Sequence, residues 1–257
     1  MITLTRNTEL KSGVSIKHDK MKVIFNFLYE FQFSNIDNLA VLLGSTPPAQ
    51  RRFLSALVED GYLTKFKNST MMQNLYFYGL TQLSIDFLIG AQIIKEGSRA
   101  TPISRFKKVN NLPHHLEVQR YLLINWNRFD QVFWEGGFYF RSEHHRPDAI
   151  YMAVGKEHKV AIEYERWVKD SRRVFDTFYR NAINIDRNKL YQGVIYMFYS
   201  EDDMQTYSAL FDHNEWPRYE KDQRGNLKKT MMNYSPSAEV RNCFRFRVMN
   251  FEGAIGQ

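Results

Sequence analysis

Hydrophobic and polar positions change period several times along the chain, and each change marks a predicted element. In DKMKVIFNFLYEFQF, Met21, Ile24, Phe25, Leu28 and Phe31 recur at three- and four-residue steps. That spacing puts apolar side chains on one helical face. SNIDNLAVLL follows as a shorter helix, with Ser34 or Asn35 as N-cap and Gly44 as its stop. STPPAQRRFLSALVEDGYL opens on capping and proline signals, carries Phe53, Leu54, Leu57 and Val58 along one side, and stops at Gly61. The period then drops to two: YLTKFKNSTMMQNLYFYGLT alternates around polar turn residues, which predicts a strand, a turn and a strand. Three helices followed by a hairpin predict an N-terminal winged helix-turn-helix. GLTQLSIDFLIGAQII adds a further helix packed on that module, too interrupted by polar residues to span a membrane.

Periodicity is lost in KEGSRATPISRFKKVNNLP, where Gly, Ser, Pro, Asn and basic residues accumulate. This places a linker at residues 96–111, between one domain over 1–95 and a second over 112–257. LPHHLEVQRYLLINWNRF then reads as an amphipathic helix, with His115, Val118, Leu122 and Leu123 near one face and Glu117 adjacent. QVFWEGGFYF, PDAIYMAV and KVAIEYE read as strands, the last two joined by the turn signal GKEH into a hairpin. KDSRRVFDTFYRNAINIDRNKLY reads as a helix, QGVIYMFYS as a buried strand and EDDMQTYSALFD as another helix. Helix, three strands, helix, strand, helix predicts an α/β (α+β) domain whose mixed sheet is flanked by helices.

Charge narrows the partners. The 257 residues hold 35 Lys and Arg against 28 Asp and Glu, a formal net charge of +7, which favours a polyanionic partner, nucleic acid first and a membrane surface second. No apolar run approaches the roughly 18 to 20 residues of a membrane span, and MITLTRNTELKSG lacks the apolar core of a signal peptide. A soluble cytoplasmic protein with no membrane insertion is expected. Cys243 is the only cysteine, which excludes intrachain disulfides and thiolate zinc clusters, so any metal must sit on carboxylates or histidines. Arg51 and Arg52, near the start of the third helix, are placed to reach bases or phosphates in a major groove. Lys65 and Lys67 alternate along the predicted wing, where they would contact the phosphate backbone. An ordinary solvated face is the competing reading for all four, and winged helices also mediate protein contacts.

The sharpest chemical signal is HHRPDAIYMAVGKEHKVAIEYERWVKD, residues 144–170, which carries acids into apolar, strand-like segments. A carboxylate costs several kcal/mol to desolvate unless it is paired or holds a metal. Asp148 begins one strand, and Glu163 and Glu165 lie near the end of its hairpin partner, so the carboxylates can converge at one edge. Glu163 and Glu165, two apart, share a face of the strand. Hard cations such as Mg2+ or Mn2+ take oxygen ligands of this kind, and could there activate a water and neutralise charge on a transferring phosphate.

RPD at 146–148 followed by VAIEYE at 160–165 resembles the core of the PD-(D/E)XK nuclease superfamily, the fold of many restriction endonucleases. In that pattern Asp148 takes the first acidic position and Glu163 the second, both as metal ligands. Glu165 stands where the family usually has Lys, a departure that makes it either a further metal ligand or leaves the role to Lys169 downstream. The helix before the sheet often supplies another acid in this superfamily, and Glu117 is the position carried over. Joined to an N-terminal winged helix, the arrangement is similar to the MobC plasmid mobilization relaxases and related replication-relaxation proteins. The resemblance implies an endonuclease that nicks one strand at a plasmid transfer origin. It also implies double- and single-stranded plasmid DNA, and a mobilization accessory or coupling protein, as partners.

Other readings stay open. Most relaxases use a Tyr nucleophile beside a His-X-His cluster, and no such triplet exists here; none of the 15 tyrosines is singled out by spacing. His144, His145 and Arg146, beside the first acid, are candidate phosphate or water contacts. Arg166, Lys169, Arg172 and Arg173 follow the acids on a predicted helix whose cationic face could hold a cleaved strand or simply be solvated. The same acids could also form a surface hairpin salt-bridged to Arg146 or Arg166. The second function class is a noncatalytic DNA-binding replication or transcription regulator that retains a degenerate nuclease fold.

Overall fold

The stepped apolar face near the N-terminus becomes α1 (Gly13–Phe31), and Met21, Ile24, Phe25, Leu28 and Phe31 are all buried. The computed structural model describes residues 13–67, 75–106, 112–134 and 145–249. After a two-residue strand β1 (Ser34–Asn35), the Asn35 side chain accepts the Asn38 N–H at 2.9 Å and so caps α2 (Ile36–Leu42). α3 (Pro47–Glu59) opens on two prolines, whose missing N–H groups cost nothing in a first helical turn. Gly61, just past its end, takes a φ of 78°, a conformation that only glycine adopts without strain. β2 (Leu63–Lys67) and β3 (Tyr76–Leu80) pair antiparallel, β1 lies on the other edge of β3, and α4 (Gln82–Gly90) follows.

The chain divides into two compact units, Met1–Trp126 and Asn127–Gln257. The division falls beyond the predicted linker, because α5 (Leu112–Ile124) packs in the first unit rather than opening the second. Asn38 Nδ2 donates to the Leu116 carbonyl and Gln119 Nε2 to the Phe33 carbonyl, each at 2.8 Å. Phe106, inside the stretch read as linker, is buried with Phe33, Phe66, Phe77, Leu112 and Leu116.

In the second unit β4 (Phe129–Trp134), β5 (Ala149–Ala153) and β6 (Lys159–Glu165) precede α6 (Ser171–Asp186), β7 (Gly193–Phe198) and α7 (Glu201–Phe211). A second hairpin, β8 (Trp216–Lys221) and β9 (Leu227–Tyr234), a short α8 (Ala238–Arg241) and β10 (Phe244–Val248) complete it. The five-stranded sheet runs β10-β7-β6-β5-β4. β4, β5 and β6 are antiparallel, whereas β7 is parallel to β6 and β10 parallel to β7. The molecule is therefore a mixed α/β structure of the α+β kind. α6 and α7 bring Val174, Phe178, Tyr207 and Phe211 onto one face of the sheet against Ala161, Tyr196 and Phe198. That apolar layer supports the acids of β6.

One expectation is corrected in the second unit. Arg166 and Lys169 are not helical: Asp170 accepts the Arg172 N–H and caps α6, so the helix starts at Ser171 and both residues belong to the connecting segment. The strand expected over 131–140 is observed as β4, and residues 135–144 lie outside the described residues. β8, β9, α8 and β10 have no counterpart among the elements that the sequence pattern predicts.

Candidate functional site

The site grows from the β5–β6 hairpin. Gly155 turns the chain at a φ of 68°, the Lys156 N–H bonds the Ala153 carbonyl at 3.0 Å, and Ala149 pairs with Ile162. Asp148 therefore sits one residue before β5, where the ladder ends. Its Oδ2 accepts the Tyr164 N–H at 2.7 Å, so a side chain takes the place of a further strand partner. On β6, Glu163 and Glu165 share the face covered by α6 and α7, and they are only 5% and 1% exposed.

Each glutamate has its own partners. Glu163 Oε1 contacts His145 Nε2 and accepts from Asn181 Nδ2 at 3.0 Å. The same Asn181 amide donates to the Tyr196 hydroxyl at 2.8 Å, while its Oδ1 accepts from the Tyr191 hydroxyl. One turn on, Asn184 Nδ2 donates to the His145 carbonyl at 3.0 Å and to the Tyr191 hydroxyl at 3.1 Å. Two asparagines of α6 thus hold both sides of the His145 and Glu163 contact. Glu165 is paired with Lys169, whose Nζ lies 2.9 Å from Oε1 and 2.8 Å from Oε2.

Burial and neighbouring charge set the protonation states. Burial pushes Glu165 up to about 7; Lys169 opposes this, and Glu163 and Asp148 add to it. Burial alone would lower Lys169, but Glu165, Glu163 and Asp148 more than offset it and hold the ammonium above its ordinary range. Lys169 is therefore a fixed positive charge, unsuited to act as a base. For His145 too, burial lowers the pKa and is outweighed by Glu163 and then Asp148, so the imidazole is raised. Tyr191, Tyr196 and Tyr207 are raised, by burial first and by the neighbouring glutamates second, which keeps these phenols neutral.

The structure brings Asp148, Glu163, Glu165, Lys169 and His145 into one electrostatically connected cluster. Arg146 is exposed beside it, and His144 lies outside the described residues. Arg166 stacks over Trp167 at 5.3 Å. Arg172 is exposed and spent locally on Asp170, with Nε 2.9 Å from Oδ1 and Nη2 2.7 Å from Oδ2, and Arg173 is exposed on the first turn of α6. The remaining candidates belong to the first unit. Glu117 is half-buried on α5; Arg51 and Arg52 are exposed on α3; Lys65 and Lys67 of β2 extend over the Tyr76 ring at 4.0 and 4.8 Å.

Asn181, Asn184, Tyr191 and Tyr196 were not found by motif. The signal was present for the asparagines: Val174, Phe178, Asn181 and Asn184 or Ile185 continue one three- and four-residue ladder, so a polar residue falls within the buried stripe. A buried amide must find partners.

Among the described residues no group of three or more His, Cys, Asp and Glu is arranged to hold a metal ion. Two carboxylates on adjoining strand ends are nevertheless a donor set suited to Mg2+ or Mn2+. Such ions commonly bind through one or two carboxylates and fill their other positions with water and phosphate. Burial first, and then the charges of Glu163 and Asp148, raise Glu165, and a bound cation would relieve that crowding of carboxylates. The residues fit the group. Comparison with family models, curated proteins and solved structures finds no match to this chain.

Proposed function

We propose that the protein is a metal-dependent DNA endonuclease of the nicking kind, acting as a plasmid mobilization relaxase at a transfer origin. One observation carries this reading. Asp148 and Glu163 stand at the adjoining ends of a β-hairpin, and the Lys169 ammonium turns back onto the glutamate that follows them. The order hairpin, helix, parallel strand, helix supports a PD-(D/E)XK-like core, and the three helices and hairpin of the first unit support a winged helix. In this reading the lysine normally found in the third position has migrated, and Glu165 is the residue that holds it.

Each group has a distinct part. Asp148 and Glu163 would hold Mg2+ or Mn2+, which when bound supplies an activated water and neutralises charge on the scissile phosphate. Asn181 and His145 fix the rotamer of Glu163. Lys169 presents a permanent positive charge toward the cluster and favours the extra negative charge of a phosphoryl transition state. Glu165, poised near neutral pH, can accept a proton. Arg51, Arg52, Lys65 and Lys67 would contact duplex phosphates and bases, with Arg146, Arg166 and Arg173 available to the strand being cut.

The pairing of Glu163 with His145 and Asn181, and of Glu165 with Lys169, also favours a second reading: a noncatalytic DNA-binding replication or transcription regulator in which the acids have become structural. Supercoiled plasmid carrying the cognate origin separates the two. Open-circle product that requires Mg2+ or Mn2+ and disappears in Asp148→Ala is the expected result. DNA binding without nicking under any metal condition, with the mobilization partner added, would establish the regulator.

A further inference from the structure

The β8–β9 hairpin takes no part in the site, forms its own two-stranded sheet and is held stiffly at both ends. At its base Trp216 is fully buried, donates Nε1 to the Phe211 carbonyl at 3.1 Å and pairs with Tyr234. At its tip Asp222 Oδ1 accepts the N–H groups of Arg224 and Asn226, each at 2.9 Å, and Gly225 takes a φ of 80°. Between them the register slips. Pro217 pairs with Asn233 and Tyr219 with Lys229, so Thr230, Met231 and Met232 bulge out of the ladder. The bulge is itself ordered: Thr230 Oγ1 bonds the Met232 carbonyl at 3.1 Å and accepts the Met232 N–H at 3.3 Å. Met231 is fully exposed and Met232 largely so.

Two adjacent exposed methionines on a formed bulge make a small, adaptable apolar projection of the kind used at contact surfaces. The charge around them says which partner fits. Lys221, Arg224, Lys228 and Lys229 are exposed on this ribbon against Glu220 and Asp222; Lys228 lies 3.7 Å from Asp222, and Arg218 of β8 lies 3.8 Å from Glu220. Cations clustered toward the tip of the ribbon, with an exposed apolar bulge next to them in the chain, suit a polyanion that also offers apolar surface. Duplex DNA has both, in its phosphates and in the base steps that apolar wedges such as methionine unstack. We infer that the β8–β9 ribbon is a second contact surface for duplex DNA, its cations on phosphates and the Met231 and Met232 bulge wedged at a base step, bending the duplex. This rests on the DNA-binding part of the proposed function, and not on cleavage.

The test uses the full chain and a fluorescent duplex carrying the origin, with affinity measured by anisotropy across a salt series and bending by energy transfer between the duplex ends. The triple variant Lys221→Gln, Arg224→Gln, Lys229→Gln should bind about 10- to 100-fold more weakly at moderate salt, and its log–log salt slope should shrink by about two to three. Met231→Ser with Met232→Ser should keep the salt slope and lose the bend, which for such wedges is on the order of 20° to 90°. The substituted side chains are exposed, so the melting temperature should stay that of the wild type. Wild-type binding with an unchanged triple variant would overturn the inference alone and leave the DNA reading standing. No wild-type binding to duplex DNA would overturn the inference together with the DNA reading. A bend that survives both serine substitutions would overturn the wedge.

Discussion

The first unit buries Ser34, Asn38 and Gln119 where β1, α2 and α5 meet; the second buries Glu163, Glu165, Asn181 and Asn184 where β6 meets α6. Both are polar networks in apolar surroundings, but they differ in charge. In the first, Ser34 Oγ donates to Gln119 Oε1 at 2.8 Å, Gln119 reaches the Phe33 carbonyl and Asn38 the Leu116 carbonyl, so neutral groups satisfy one another. Such bonds are worth about 0.5 to 1.5 kcal/mol each and fix how the elements meet. In the second, ionisable groups are crowded until their pKa values move. Burying charge is a poor way to gain stability, and displaced pKa values gather where chemistry is done. The first network is architectural; under the proposed function the second does the chemistry.

The hardest blow to that contrast would come from the acids themselves. Asp148→Ala and Glu163→Ala should each reduce metal-dependent nicking by about 10³-fold or more, while DNA affinity holds. Full activity in either would place the second network with the first. Asn181→Ala touches neither metal nor DNA in this reading, yet should slow nicking by about 10- to 100-fold by releasing Glu163, with Asn181→Gln or Asn181→Asp failing to restore it. In the first unit, Gln119→Ala should lower unfolding free energy by about 1 to 3 kcal/mol in urea titration and leave the nicking rate of the folded protein unchanged. A loss of rate there would break the division.

The pH dependence sharpens the same point. Glu165 binds its proton more tightly when folded than its ordinary value of 4.5, at about 7. Its contribution to stability is therefore complete below about pH 4.5 and is lost as pH rises through 7, a term on the order of 3 kcal/mol. His145, also raised, acts in the same sense above its ordinary 6.5. Unfolding measured at pH 5 and pH 8 should show this slope in the wild type and a much flatter one in Glu165→Gln; an equal slope would remove Glu165 as its source. The smallest effect is expected on the first unit's surface. Lys65→Ala and Lys67→Ala should each weaken DNA binding a few-fold and reduce the salt slope by about 0.9.

Legibility followed the range of the interaction. The apolar ladder of α1 and the cap of α2 depend on residues within a few positions of one another; the ladder is read directly from the chain, and the cap down to Ser34 or Asn35, of which the structure uses Asn35. The pairing of β5 with β6 was similarly local, since a five-residue connection sets the register that puts Asp148 beside Tyr164. By contrast, α5 carried no local sign of which core it joins. Its allegiance is decided by Gln119 and Leu116 meeting residues about 80 positions earlier. Lys169 could be placed near Glu165 by spacing, but not its helical state, because the Asp170 cap competes with the helix signal around it. The β8–β9 ribbon was missed because WPRYEK and LKKTMMNY mix charged and apolar residues without clean alternation, and the bulge interrupts the period further.

The sequence by itself determined α1 to α7 as helices, the acid-bearing hairpin, the shared face of Glu163 and Glu165, the cationic balance and the exclusion of intrachain disulfides and thiolate zinc clusters. These follow from backbone periodicity and side-chain inventory, which need no knowledge of distant neighbours. Only the tertiary structure decided that His145 and Asn181 meet on Glu163, that Glu165 is buried deeply enough to titrate near 7, and that Met231 stands outside every core. Burial and pKa depend on what the rest of the chain brings within a few ångströms, and desolvation is a property of that whole surrounding rather than of any local pattern.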